Sequence, residues 1–275
     1  MKKNKLPILM CVLVVLSIAA VVGYLYYAKT VSSPLSPTIS FDSDTVTVST
    51  SYTEEELLAG VTASDPEDGD VTDSLIVESV SRFIGDGTAR VTYVAFDSNN
   101  HMARAERSVR FTDYTSPKLE LSAPLMFKKS GDIDILKYLS AEDCFDGDIS
   151  GSIKYTLLGK SLTLSEVGEH RVQIRVTNSM GDTVHLTLKV EVTERDPNTA
   201  GITLTNYLIY LPQGADFDPA AYVEGYTAGG EKRTGADGLT IKNGADTSTE
   251  GVYTVDYIYG SGDGASRSRL IVVVE

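Results

Sequence analysis

Residues Gly168–Val192, "GEHRVQIRVTNSMGDTVHLTLKVEV", decide how this chain is read. In their first half Val172, Ile174 and Val176 alternate with Arg171, Gln173 and Arg175, a two-residue period that turns one face to a core and the other to water. In the second half Val184, Leu186, Leu188, Val190 and Val192 alternate with His185, Thr187, Lys189 and Glu191. Between them, "NSMGD" contains Gly181, which takes the left-handed backbone of a hairpin turn without steric cost. The segment is a long antiparallel hairpin with one dry face.

The same hairpin occurs twice more. "GTARVTYVAFDSNNHMARAERSVRF" starts at Gly87 and "GVYTVDYIYGSGDGASRSRLIVVV" at Gly251, so the spacing is 81 residues from Gly87 to Gly168 and 83 from Gly168 to Gly251. With the three glycines superimposed, Val91, Val172 and Val255 coincide in the strand, and Asn100, Gly181 and Gly264 coincide at the turn. A repeat of that size fits a small β-sandwich. Boundaries fall at "DYTSPK" (113–118) and "ERDPNT" (194–199), which gives domains over residues 38–113, 117–194 and 199–275. The chain is therefore expected to be all-β, three tandem sandwiches behind one N-terminal helix.

That helix is read from Leu6–Tyr27, "LPILMCVLVVLSIAAVVGYLYY", 22 residues without a charge. At about 1.5 Å per residue it covers about 33 Å, enough for a single transmembrane span. Lys2, Lys3 and Lys5 precede it, so the positive-inside rule leaves residues 1–5 in the cytoplasm and exports the remainder. Tyr24, Tyr26 and Tyr27 then meet the outer interface. A cleaved signal peptide ending near Ser17-Ile18-Ala19 is the alternative, against which the apolar run continues well past that point. Residues 28–37, "AKTVSSPLSP", have the composition of a tether. The expected location is the plasma membrane, single-pass, with the C-terminal region extracellular.

Charge and cysteine content narrow the class further. The net charge is −14, and since the four charged residues before position 30 are all lysines, the remainder carries 38 acids against 20 of the 24 bases. Such a surface repels nucleic acid and attracts cations or basic partners. One of the two cysteines, Cys11, lies in the apolar run, so Cys144 stands alone outside it and no disulfide framework forms. The chain also lacks an Asn-x-Ser/Thr sequon, which favours a bacterial surface protein over a eukaryotic ectodomain.

Each of the first two repeats carries an acidic stretch, "DPEDGDVT" from Asp65 and "DCFDGDIS" from Asp143, with the shared pattern Asp-x-x-Asp-Gly-Asp-(Val/Ile)-(Thr/Ser). The third repeat has lost it. Two readings stand. In one, Asp65, Asp68 and Asp70, with Asp143, Asp146 and Asp148 in the copy, supply oxygens to calcium. In the other, which is preferred, they accept backbone N–H groups in a tight turn around Gly69 and Gly147. An EF-hand is excluded, because counting from Asp65 its sixth position is Asp70 and its twelfth is Ile76.

Asp65-x-x-Asp68-Gly69-Asp70-Val71-Thr72, followed by Gly87 and Val91-x-Tyr93-x-Ala95-x-Asp97, resembles the Ig-like repeats of Gram-positive surface proteins and of some pesticidal crystal proteins. The resemblance covers repeats one and two; the third, with "GVYTVDYIY", is similar to a looser bacterial Ig-like type. Ala89 and His170 depart from it where tyrosine is usual, and Asn100-His101 where Gly-Asn is usual. It implies Ig-like sandwiches used as spacer or adhesive modules, and no catalytic residue.

The residues themselves offer no catalytic set either. His185 falls on a wet face, His101 follows a turn, and His170 shares parity with Val172 and belongs to the core. There is no nucleophile elbow and no phosphate-cradling glycine loop. Cys144, flanked by Glu142, Asp143 and Asp146, is a passive thiol. No cofactor is expected beyond the calcium alternative. Tyr207, Tyr210, Tyr222, Tyr226, Tyr253, Tyr257 and Tyr259 concentrate in the third domain, as a recognition face or as core. The expected role is a non-enzymatic adhesion or structural stalk module facing a cell-surface or envelope protein or polysaccharide. The alternative is an accessory binding subunit of an envelope assembly.

Overall fold

The computed structural model describes residues 6–31, 36–85, 87–130, 133–159 and 163–275. Residues 1–5, read as cytoplasmic, and residues 32–35 of the tether lie outside the described residues. Helix α1 spans Leu6–Val31, so it continues past Tyr27 into the stretch read as tether. Ala28 and Lys29 are good helix formers and the first proline after the apolar run is Pro34, so nothing stops the helix earlier.

The first repeat contains β1 (Thr38–Phe41), β2 (Thr45–Val48), α2 (Glu54–Leu58), β3 (Val61–Asp65), β4 (Gly69–Asp70), β5 (Ile76–Val80), β6 (Thr88–Phe96) and β7 (Met102–Phe111). They form two sheets, β1-β3-β4 and β2-β7-β6-β5, with β2 parallel to β7. Val61 and Ala63 of one sheet are buried, as are Ala89, Val91, Tyr93 and Val109 of the other. Helix α2 starts in a capping box, in which Glu56 N–H donates to the Thr53 hydroxyl at 3.3 Å and Thr53 N–H donates to the Glu56 carboxylate at 2.8 Å. It buries Leu57 and delivers that residue's carbonyl to the core, where Tyr93 Oη donates to it at 2.7 Å.

The second repeat runs through β8 (Lys118–Leu121), β9 (Met126–Lys128), β10 (Leu139–Asp143), β11 (Gly147–Asp148), β12 (Lys154–Leu158), β13 (Gly168–Thr177) and β14 (Thr183–Thr193). The third runs through β15 (Thr203–Leu204), β16 (Leu208–Leu211), β17 (Val223–Ala228), β18 (Glu231–Thr234), β19 (Thr240–Asn243), β20 (Gly251–Tyr259) and β21 (Ser266–Val274). Their sheets repeat the first: β8-β10-β11 with β9-β14-β13-β12, and β15-β17-β18 with β16-β21-β20-β19. The second strand of each repeat is again parallel to the last. Three copies of one two-sheet topology make the chain a tandem of β-sandwiches, the third included although its acidic stretch is gone.

The hairpin that sets this pattern pairs as read, with Val172 opposite Leu188 and Ile174 opposite Leu186, all four buried. Asn100 and Gly181 take positive φ at their turns, 64° and 88°. In the third repeat the expectation shifts: positive φ falls on Gly260 and Gly262. Three glycines spaced two apart in "GSGDG" leave the superposition on Gly251 unable to choose the turn position.

Packing groups the chain into two compact units, residues 1–112 and 113–275. The second unit holds both later sandwiches, and strand β21 shows why. Leu270, Val272 and Val274 point into the core of the third sandwich, while Ile271 and Val273 join the core cluster of the second, with Leu208, Tyr207 and Tyr210. Polar groups close the seam: Leu119 N–H donates to Tyr210 Oη at 2.9 Å, Lys118 pairs with Glu275 at 2.8 Å, and Arg269 and Arg267 both engage Glu191. The seven tyrosines of the third repeat all pack against these cores, so they form core and seam; the recognition-face alternative has no support. Burial pushes the Tyr257 phenol well above its ordinary value, as suits an interior hydroxyl that donates to the Pro219 carbonyl.

Candidate functional site

The acidic stretch of the first repeat folds as the β3–β4 hairpin, with Asp65 opposite Gly69 and Ser64 opposite Asp70. Asp65 Oδ1 accepts from the N–H groups of Glu67 at 2.8 Å and Asp68 at 3.1 Å, the local bonding by which an aspartate fixes a turn. Gly69 closes that turn with φ 78° and open space beside it, so a side chain there would be opposed by the backbone alone. Asp70 Oδ1 accepts from Thr72 N–H at 3.0 Å. The Thr72 side chain and backbone hold the Asp70 carboxyl below its ordinary pKa.

The second repeat copies each step. Asp143 Oδ1 accepts from Phe145 N–H at 2.9 Å and Asp146 N–H at 3.1 Å, Gly147 has φ 66°, and Asp148 Oδ1 accepts from Ser150 N–H at 2.9 Å. The Asp148 carboxyl is likewise lowered, first by the Ser150 hydroxyl and then by its amide. Asp70 and Asp148 are thus turn formers. Asp68 and Asp146 instead reach the turn of the long hairpin about thirty residues on, where the Ser98 N–H and hydroxyl donate to Asp68 and those of Ser179 to Asp146.

That clamp brings in a residue that sequence reasoning did not place at the site. Asp97, buried at the end of β6, presents a carboxylate oxygen to Asp65 and Asp68, with one oxygen from each of the three inside 4.8 Å of the others. Asp97 Oδ1 accepts from the N–H groups of Asn99 at 2.9 Å and His101 at 2.6 Å, and Oδ2 lies 2.5 Å from His101 Nδ1. Burial raises the Asp97 carboxyl and the His101 and Asn99 bonds lower it by more, so its net shift is downward. Asn178 occupies the corresponding place in the second repeat and donates from Nδ2 to Asp143 Oδ2 at 2.9 Å. Asp65 Oδ2, the counterpart of that acceptor, is buried with no hydrogen-bond partner.

No protein-family model matches the chain, and no curated protein sequence matches it. Solved structures give remote likenesses. CBM51-2 in complex with GlcNAc and INT domains from Clostridium perfringens ZmpB aligns at 17% identity over 61% of this chain and 30% of its own, with TM-score 0.23. The protocadherin GammaB4 extracellular domain aligns at 14% identity over 86% of this chain and 49% of its own, with TM-score 0.22. Human CDH23 EC21-23 aligns at 14% over 83% and 97%, with TM-score 0.21. The chain covers less than half the length of the first two. The β-sandwich architecture follows from the pairing of the strands and the burial of their inward faces.

The remaining sequence candidates occupy structural places. His170 is buried, its Nε2 2.8 Å from the Glu166 carbonyl, and His185 is exposed. Cys144 is a free, exposed thiol whose Sγ lies 3.4 Å from the Thr115 carbonyl. An open groove of about 570 Å³ is lined by the charged groups of Arg195, Asp196, Lys242, Asp256 and Arg267 together with the hydroxyl residues Thr193, Thr240 and Ser261.

Proposed function

We propose that the chain is a membrane-anchored, non-enzymatic surface protein of the bacterial Ig-like repeat type, whose three sandwiches form an adhesive or structural stalk outside the cell. The observation that carries this reading is helix α1. Leu13, Val14, Val15, Leu16, Ile18, Val21, Val22 and Leu25 are all more than half exposed and point around its whole circumference, whereas strand residues such as Val91, Val172, Ile174, Leu188 and Val255 are inside their sandwiches. A helix apolar on every side is covered by protein or by lipid. Among the described residues no helix is long and apolar enough to cross a membrane; in α1 the described side chains are those of residues 13–25 alone. The full run from Leu6 has the length for a span, and Lys2, Lys3 and Lys5 set its direction.

A stalk or adhesin meets its envelope protein or polysaccharide through exposed surface, without a constant partner. Chemical cross-linking on intact cells, followed by capture of the full chain and quantitative mass spectrometry, is expected to return partners in non-integral, growth-dependent amounts. One protein recovered at a fixed ratio would transfer the chain to the accessory-subunit reading.

A further inference from the structure

We propose that Asp65, Asp68 and Asp97 form a binding site for a hard divalent cation of the calcium type in the first sandwich, and that Asn178 replaces that cation in the second. Two independent observations meet here. One is the convergence of the three carboxylates. The other is Asp65 Oδ2, an oxygen of a residue that is 6% exposed, with no hydrogen-bond partner. A carboxylate oxygen taken from water and given no partner costs free energy, so such a position calls for a proton donor or a positive ion.

The second sandwich shows what satisfies that oxygen when no ion is used. Its turn bonds, its clamp to the serine of the long hairpin and its glycine geometry are those of the first. The decisive exchange is at one position, where the Asn178 amide donates to Asp143 Oδ2 at 2.9 Å and its Oδ1 accepts from Asp182 N–H at 2.9 Å. Asp97 keeps the acceptor half, taking the His101 and Asn99 amides, and has no N–H to give. In the first sandwich the neutral donor gives way to a third carboxylate, within 4.8 Å of those of Asp65 and Asp68. The His101 ring reaches only Asp97 Oδ2. All-oxygen carboxylate donors select hard cations, and the exposed side of Asp68 leaves room for the waters that complete a calcium shell.

The site does not depend on where the protein resides, and the test uses the full chain in detergent after treatment with chelator. Equilibrium dialysis against radioactive calcium, up to about 5 mM to cover the range of weak extracellular sites, is expected to give one ion per wild-type chain, none for Asp97→Asn and two for Asn178→Asp. Asp97→Asn installs an arrangement the second sandwich already uses, so it should fold, and its midpoint in chelator should exceed that of the wild-type first sandwich and ignore added calcium. No ion on the wild type, or an ion retained by Asp97→Asn, would overturn the site. A single ion on Asn178→Asp would overturn the claim that this position decides between the two repeats.

Discussion

Arg107→Ala is expected to lower the stability of the first sandwich by about 3–5 kcal/mol, the range for removing a buried charged donor whose acceptors then lose their partner. Arg107 is 3% exposed, and its Nη2 donates to the carbonyls of Leu57 and Ala59, each at 2.9 Å. Its guanidinium also lies 5.5 Å from the Phe41 ring centre and 5.6 Å from that of Tyr93. Truncation therefore strands the end of α2 and opens a cavity between the sheets. At about 4–8 °C per kcal/mol for a domain of this size, the midpoint should fall by more than about 12 °C. Arg107→Met, which fills the space without donating, should cost less. Calorimetry of the full chain would show both, with the transition of residues 113–275 unmoved; an alanine variant within about 1 kcal/mol of wild type would remove Arg107 from the account of the core.

The second large effect is expected at Ile271→Asp. Ile271 is 2% exposed and lies on the face of β21 turned away from its own core, among the apolar side chains of the second sandwich. An unpaired carboxylate there should cost about 4 kcal/mol or more. Because the residue is shared, the second and third sandwiches should be destabilised together while the first keeps its midpoint. A variant in which the third sandwich alone melts earlier would show that the seam carries little of the second one's stability.

These two residues mark where the sequence was legible and where it was not. The long hairpins could be read because a two-residue period assigns each side chain a face, and Val172, Ile174 and Val176 are buried as that period requires. The same parity places Arg107 with Val109 and Phe111 on the dry face of β7, a signal present in "ERSVRF" that the charge of an arginine obscures. In β21, "LIVVV" does not alternate, which announces a strand covered on both sides, yet nothing local names the covering surface. The turn roles of Asp65, Asp70, Asp143 and Asp148 were legible because each bonds an amide two residues ahead. Asp97 was not, since its approach to Asp65 and Asp68 exists only after the hairpin turn has folded over the acidic loop. The tyrosines left two readings open for a related reason: their number could be counted, but their direction depends on the seam.

The outward display of the sandwiches is tested most directly at Cys144. It is exposed, and the other cysteine of the chain, Cys11, lies within α1. Intact cells treated with a membrane-impermeant maleimide should yield labelled full-length protein, and Cys144→Ser should abolish the label. Labelling that appears only after the membrane is opened, while a known external thiol reacts beforehand, would contradict the display of these sandwiches outside the cell.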